Sequence, residues 1–376
     1  MSAARLATHL ALVAASVVLA LLLLEGGIRL LEVARPEARP AAAPADSAAQ
    51  STTPEYVPSD SLGWILRPAA VQRFRRDGFD TTVRSNHLGF RGPEIGEKAP
   101  GVTRYAVLGD SYAFGWGVEE GETYAAQLDS ILNPRAPGGP RYEVVNAALP
   151  GFGTYQRLAA LERLLPYGLD GIIVEFSASN DVVDDWRAAP YVPGRLGEYQ
   201  ARGTQFTPVE RFLVKRSHLA AMVWNRAMPL RLWLEARRGV NLERTAQLWD
   251  SLLDRAAALG LPVVVVVNPS RTQVLEDEGG LATWLARSRY GLRPNAMIRQ
   301  VLARRRLPWV DGEAVFRATA ARHELFLARD AHWTPAGHRE LAAAIAEVCL
   351  NSMKMTAWLR SRGSSCRVLP PPLEGC

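Results

Sequence analysis

The sequence predicts an α/β fold, a five-stranded parallel sheet with helices on both faces. Two features of residues 104–350 predict it. Short apolar runs of strand length recur along the segment, and the stretches between them repeat their apolar residues at helical spacing. Strands that alternate with helices pair in parallel, because each helix carries the chain back to begin the next strand at the same end.

Taken in order, Tyr105–Leu108 is the first strand, and Tyr124–Leu132 has the spacing of a helix. Val144 and Val145 mark the second strand, followed by a helix over Tyr155–Leu165. Gly171–Phe176 (GIIVEF) is the third. Leu242–Leu259 is a long amphipathic helix leading into Pro262–Val267 (PVVVVV), a wholly apolar run that reads as a fully buried strand. A helix over Asn295–Arg305 precedes a last short strand at Trp309 and Val310, and Ala336–Leu350 closes the body as a helix.

Residues 186–240 interrupt this alternation after the third strand. They read as a helical insertion carrying Trp186, Tyr191, Tyr199, Phe206, Phe212, Trp224 and Trp233 among many arginines. Part of so much aromatic surface is expected to pack on the body and part to wall a site at that sheet edge; a satellite helical pair packed far from Ser111 is the alternative. Before the sheet, residues 56–103 read as a small β-rich lead-in, with turn signals at Asp60-Ser61-Leu62-Gly63 and Arg76-Asp77-Gly78. Residues 351–376 read as a loose, Pro-rich tail.

The first residues are apolar. Leu10–Leu24 is apolar throughout except for Ser16, and a weaker continuation to Leu31 gives a stretch of about 22 residues, the length of a bilayer span. Glu25 and Arg29, four apart on one helical face, can pair near the interface. Residues 1–33 are therefore expected to be a transmembrane anchor. A cleaved signal peptide is the alternative, but Glu25-Gly26-Gly27 stands where a small-x-small cleavage site would lie. A short N-terminal flank favours an extracytoplasmic, periplasmic body, although Arg29, Arg35 and Arg39 on the far flank favour the reverse by charge counting. Residues 34–55, built of Ala, Pro, Ser and Thr, form a semi-extended linker.

Composition excludes several classes. Lys and Arg number 44 against 38 Asp and Glu, a net charge of +6. The excess is spread along the chain, so no nucleic-acid partner is expected. A chain of 376 residues buries a full core without disulfide support. Three cysteines give neither a framework nor a metal-ligand spacing, and no metal or cofactor is expected. Cys366 and Cys376 could pair locally in an oxidising compartment, leaving Cys349 as a buried apolar residue.

Ligands of such a sheet bind beyond the carboxyl ends of its strands, so the residues that follow each strand are the candidates for chemistry. After the first come Gly109-Asp110-Ser111, and after the second Pro150-Gly151-Phe152-Gly153. After the third come Ser177-Ala178-Ser179-Asn180-Asp181, and ahead of the last helix Asp330-Ala331-His332-Trp333. These four segments, in this order, resemble the SGNH (GDSL) hydrolase superfamily over residues 104–350. The Asn-x-x-Gly-Phe-Arg-Gly lead-in at 86–92 and the anchor resemble its membrane-tethered bacterial members. A lone Gly-Asp-Ser is a weak signal; four blocks in order, each behind its strand, are a strong one.

The resemblance implies a flavodoxin-like three-layer sandwich and a catalytic set of Ser111, His332 and Asp330. It also implies an oxyanion hole from the backbone N–H groups of Ser111 and Gly151 and the side-chain amide of Asn180. The residue types suit these tasks. A serine hydroxyl needs a base to become a nucleophile, and a histidine serves near neutral pH. A nearby carboxylate fixes the imidazole tautomer, and converging donors hold a developing oxyanion. Two departures stand out. Ala178 replaces the glycine of the usual Gly-x-Asn-Asp block, and acid and base are spaced Asp-x-His where many members have Asp-x-x-His.

Plainer roles fit the remaining candidates. His338 reads as structural in the first turns of the last helix; His323, His87 and His218 lack a comparable setting. Asp181 reads as a support for its loop, and Asp184 and Asp185 as solvated loop residues. Trp116 and Trp333 read either as core or as a sugar-stacking platform. Together these residues predict a serine esterase that hydrolyses carboxylic esters through an acyl-enzyme on Ser111, with O-acetyl groups on carbohydrate as one substrate class. An O-acyltransferase modifying a cell-surface polysaccharide is the alternative, since Asp-x-His followed by Trp resembles the SGNH-like domains of alginate-type O-acetyltransferases. A non-catalytic glycan-binding module is the third reading, against which the intact Ser, His, Asp and Asn set argues.

Overall fold

The computed structural model of the chain describes residues 3–34, 54–76, 78–133, 141–178, 180–187, 240–275, 278–288, 291–328 and 330–361, with scattered positions between 216 and 237. It comprises two units, Met1–Gln50 with Thr204–Arg231, and Ser51–Gly203 with Leu232–Cys376. In the first, helix α1 runs over Ala3–Ala34 and leaves Leu12, Val17, Leu22 and Leu23 more than half exposed. Glu25 accepts hydrogen bonds from Ser217 Oγ and Leu219 N, both 2.8 Å; the side chain of Arg29, its expected partner, lies outside the described residues. Among the described residues, no helix is long and apolar enough to cross a membrane, so the span expected at 10–31 rests on the sequence alone. The linker, most of the insertion at 186–240, and Cys366 and Cys376 also lie outside the described residues.

The second unit begins with two antiparallel hairpins. β1 (Tyr56–Ser59) pairs with β2 (Gly63–Leu66), and β3 (Val71–Arg76) with β4 (Phe79–Arg84). Along β4, buried Thr81 and Val83 alternate with exposed Asp80, Thr82 and Arg84, the pattern of a strand with one face covered.

The sheet follows. Its strands are β5 (Val102–Leu108), β6 (Arg141–Asn146), β7 (Gly171–Phe176), β8 (Val263–Val267) and β9 (Trp309–Asp311). They lie in the order β6-β5-β7-β8-β9, every pair parallel. Every residue of β7 and β8 is buried, which explains their nearly unbroken apolar sequence. Tyr105 faces Val144 on one side and Gly171 on the other. Thus β5 lies between the two strands that succeed it, and the order reverses there. Such a reversal opens a crevice at the carboxyl edge.

The helices are α2 (Ser111–Phe114), α3 (Tyr124–Leu132), α4 (Thr154–Leu164), α5 (Asp181–Arg187) and α6 (Val240–Ala258). Beyond them come α7 (Arg271–Val274), α8 (Gly280–Arg287), α9 (Arg293–Arg305), α10 (Gly312–Ala318) and α11 (Pro335–Ser361). α3 packs on α11, while α6 packs on α4 and α9. Two boundaries differ from the sequence expectation for physical reasons. β5 starts at Val102 because Arg104, 2% exposed, is neutralised within the sheet by Glu143 of β6 at 2.7 Å. α11 continues through residues 351–361, expected as tail, where the sequence has neither glycine nor proline to stop it.

His338 lies in the first turn of α11, fully enclosed, with Nδ1 accepting the Tyr124 backbone N–H at 3.2 Å. Burial first, and then the charges of Arg91 and His332, push its pKa from 6.5 to about 3. Below pH 6.5 the unfolded chain takes up this proton and the folded chain does not. Stability contributed by neutral His338 is therefore lost as pH falls from 6.5 towards 3, by about 1.4 kcal/mol per pH unit. The variant His338→Gln, which keeps an acceptor for Tyr124, should flatten the acid side of the stability curve by one proton. Equal slopes in chemical denaturation between pH 4 and 6 would contradict this.

Candidate active site

Leu108 ends β5, and the chain turns at Gly109 and Asp110 into α2, whose first residue is Ser111. The turn is built by neighbours. Asp110 caps α2, its Oδ1 accepting Tyr112 N at 2.9 Å. At Gly109 a Cβ would stand 2.4 Å from the Glu175 carboxyl carbon, so only glycine fits between the two strands. Ser111 thereby sits at the crevice where the sheet order reverses.

His332 reaches it from the loop before α11. Its Nε2 lies 2.7 Å from Ser111 Oγ and its Nδ1 2.5 Å from Asp330 Oδ1. The same Oδ1 accepts the His332 backbone N–H at 3.0 Å. A two-residue spacing lets one carboxylate oxygen hold both the backbone and the ring, which accounts for Asp-x-His. With the proton of Nδ1 donated to Asp330, Nε2 accepts the Ser111 hydroxyl. The loop is anchored by Trp333, buried completely, whose Nε1 donates to Pro269 O at 3.2 Å. Trp333 is therefore core and cannot serve as a sugar platform. Arg271 Nη1 donates to Leu327 O at 2.7 Å and steadies the other end.

Partial burial alone would raise the Asp330 carboxyl. The hydrogen bond from the His332 ring, the imidazole's charge and its backbone N–H outweigh burial and hold the pKa at about 2. The Trp116 indole N–H, which meets no acceptor in hydrogen-bonding geometry, adds a smaller pull in the same direction.

Gly151 lies in the loop after β6 with φ +80°, a conformation that favours glycine. Trp64 of β2 stands beside it. The indole Nε1 donates to Pro150 O at 3.3 Å, and Cζ2 is 3.4 Å from where a Gly151 Cβ would be. Among the described residues, neither Ser111 N–H nor Gly151 N–H is taken by a loop carbonyl.

The Asn180 amide is placed otherwise than the sequence suggested. Its Nδ2 donates to Asp110 Oδ2 at 2.6 Å and to Asp184 Oδ2 at 3.0 Å. Both N–H bonds thus point at carboxylates, and one must turn away to meet an oxyanion. Ala178 lies outside the left-handed region where a methyl group is strained.

Beneath these residues lies a buried charge cluster. Arg157 of α4 pairs bidentately with Asp181 at 2.6 and 2.8 Å and approaches Asp110 to 3.9 Å, all three with fully buried side chains. Asp181 also accepts Ser177 N at 2.9 Å. Burial pushes its pKa up to about 7 despite Arg157. Glu175 of β7 accepts Asp110 N and Asn268 Nδ2. Burial, followed by the Asp110 charge, drives its carboxyl well above the ordinary range. Asp185, read as a solvated loop residue, is instead buried and accepts Thr154 N at 2.5 Å and Thr154 Oγ1 at 2.9 Å. Glu175 inside GIIVEF and Arg157 on an apolar helix face were the available signals of this cluster.

Among the described residues, no group of three or more His, Cys, Asp and Glu side chains is placed to hold a metal ion. His87 is half-exposed and bonds Glu94 and Tyr167, remote from this chemistry in sequence and partners.

Solved structures similar to this chain include a putative lipolytic protein of the G-D-S-L family from Desulfitobacterium hafniense (12% identity, 65% of this chain and 99% of that one, TM-score 0.39). Another is the acetyl xylan esterase AlAXEase (15% identity, 64% and 97%, TM-score 0.41). A third is a catalytic mutant of Axe2, an acetylxylan esterase from Geobacillus stearothermophilus (15% identity, 68% and 96%, TM-score 0.40). No curated protein matches the sequence. The sequence model of the GDSL-like lipase/acylhydrolase family matches residues 107–340, more than half the chain and the whole interval from the end of β5 into α11. The chain therefore belongs to the GDSL-like lipase/acylhydrolase family and is a hydrolase acting on ester bonds.

Proposed function

We propose that the chain hydrolyses small carboxylic esters, O-acetyl groups on carbohydrate among them, through an acyl-enzyme on Ser111. The observation that carries this reading is the continuous line of hydrogen bonds from Ser111 Oγ through His332 to Asp330. His332 Nε2 takes the hydroxyl proton as Oγ attacks the ester carbonyl, and Asp330 stabilises the imidazolium. The backbone N–H groups of Ser111 and Gly151 receive the oxyanion, joined by Asn180 once one of its N–H bonds leaves a carboxylate. The alcohol departs with the proton from His332. Water then attacks the acyl-enzyme carbonyl and gives a proton to the same nitrogen; the bond from the acyl carbon to Ser111 Oγ breaks, Oγ takes that proton from His332, and the acid leaves. Trp64 stands against Gly151 in the loop that supplies one oxyanion donor. Cleavage of an activated acetyl ester by the wild type and not by Ser111→Ala tests the reading.

The Asn180→Ala variant should lower kcat about 10²–10³-fold, the scale of one oxyanion donor. Near-full activity in steady-state assays would mean that Asn180 only ties Asp110 to Asp184.

The proposal places the body outside the cytoplasm, tethered to a membrane by residues 10–31, on the strength of the apolar run at Leu10–Leu24. Recovery of the full chain in the soluble fraction of the cell would overturn that placement.

A further inference from the structure

We infer that Trp116 is a positioning residue for the His332 imidazole, and that the lead-in hairpin β3–β4 sets Trp116. The inference rests on His332 acting as the base of Ser111. Two hydrogen bonds hold the imidazole, one at each nitrogen. Together they leave the ring free to tilt about the line joining them, so its faces need support.

Aromatic rings supply that support. Tyr112 lies 4.5 Å from the imidazole centroid at 37°, and Trp116 lies 5.5 Å away, close to parallel at 22°. Tyr112 belongs to α2 and packs on Trp333 at 4.8 Å, so the helix and the core fix it. Trp116 belongs to neither helix nor strand. It stands between Gly115 and Gly117, which have φ of +83° and +81°, a backbone with little stiffness of its own.

What fixes Trp116 comes from residues 71–91. Phe74 meets it edge-on at 4.6 Å and 84°, and Phe79 at 6.4 Å and 74°. The Arg76 guanidinium carbon lies 5.6 Å from the ring centroid. Arg91, 2% exposed, secures the backbone on both sides of Trp116. Its Nη1 donates to Phe114 O at 3.1 Å and Gly115 O at 2.6 Å, and its Nη2 to Val118 O at 2.7 Å. A Cβ at Gly117 would stand 2.7 Å from Leu327 Cδ1 and 3.0 Å from the Phe79 ring. Leu327 N in turn bonds His332 O at 2.9 Å. The Trp116 loop is thus wedged between the lead-in and the segment that carries the base. The indole N–H meets no acceptor in hydrogen-bonding geometry and acts only weakly on the Asp330 carboxylate, so packing of its faces and edges is the main hold on the ring. The hairpin therefore acts through Trp116 on the tilt of His332, and so on the line from Nε2 to Ser111 Oγ.

The test measures kcat and KM on a small activated acetyl ester. The proteins are wild type, Trp116→Ala, Trp116→Phe, Phe79→Leu and, as the blank, Ser111→Ala. Rates of wild type and of the Trp116 and Phe79 variants are divided by the active sites titrated with a fluorophosphonate, so that loss of folded protein does not register, and Ser111→Ala, which takes no label, is compared with wild type per folded protein. The account expects Trp116→Ala to lose about 10- to 100-fold in kcat, the scale of a slightly misplaced catalytic group, with KM nearly unchanged. Trp116→Phe should recover most of that loss. Phe79→Leu should lower kcat in the same direction, because that side chain packs on Trp116 both directly and through Phe74. An unchanged kcat per titrated site in Trp116→Ala, or in both milder variants if that protein does not fold, overturns the inference. A raised KM at unchanged kcat overturns it too, making Trp116 a substrate wall. Wild type no faster than Ser111→Ala would instead sink the underlying reading of His332 and Ser111, and the inference with it.

Discussion

Replacing Asp330 with Asn should lower kcat about 10⁴-fold while leaving the protein folded, the scale known for a carboxylate that fixes the tautomer of a catalytic histidine. The geometry explains why so small a change costs so much. Asp330 Oδ1 accepts from both the ring and the backbone of His332. An asparagine that turns its amide nitrogen towards the ring makes Nδ1 an acceptor and moves the imidazole proton to Nε2. His332 then faces Ser111 with a donor and cannot take the hydroxyl proton. If the amide oxygen faces the ring, the tautomer survives but the imidazolium loses its counter-charge. The native carboxyl, held at about 2 by His332 against the opposing effect of burial, is ionised throughout any practical assay range. Steady-state kinetics of Asp330→Asn check this. A loss below tenfold would mean that Asp330 does not govern His332.

Replacing Arg157 with Met should destabilise the fold by about 3–5 kcal/mol, because it leaves a buried carboxylate without its cation. Asp181 would lose both of its guanidinium bonds, and Asp110, 3.9 Å from Arg157, its nearest positive charge. The deficit should shrink as pH falls. Burial already places the Asp181 pKa near 7 with the arginine present, so without the cation Asp181 takes up a proton more readily still. Denaturant unfolding at pH 8 and pH 5.5 measures both effects. A loss under about 1 kcal/mol at pH 8 would show that the cluster is not held by its charges. The same variant should slow catalysis, since Asp110 orients Asn180 and caps the helix that begins at Ser111.

The sheet was legible because its strands are buried on both faces. GIIVEF and the valines at 263–267 have no other plausible place in a soluble body, and they are β7 and β8. The edge strand β6 was legible only at Val144 and Val145, because Arg141, Tyr142 and Glu143 lie where solvent or an ion pair accepts them. The short helices α2 and α7 left no trace, having only four residues each and no periodicity to show. At the site, Ser111, Asp330 and His332 could be read from local motifs, each behind its strand or ahead of its helix. What holds them could not. Arg157, Glu175 and Asp181 meet Asp110 across up to 71 residues of sequence, and their pairing depends on how α4 lies on β5 and α5. The burial of Asp185 follows from Gly153, where a Cβ would stand 2.7 Å from Asp185 Oδ1. The lead-in showed turn residues but not its purpose, because Phe74, Phe79 and Arg91 reach Trp116 only in three dimensions.

The account centres on Ser111 as a nucleophile activated by His332. Covalent labelling by a fluorophosphonate, located by peptide mass spectrometry, tests that claim most directly. The account predicts one adduct per chain, on Ser111, lost in Ser111→Ala and strongly slowed in His332→Ala. An adduct on another serine, or no adduct on a folded wild-type protein, would contradict it.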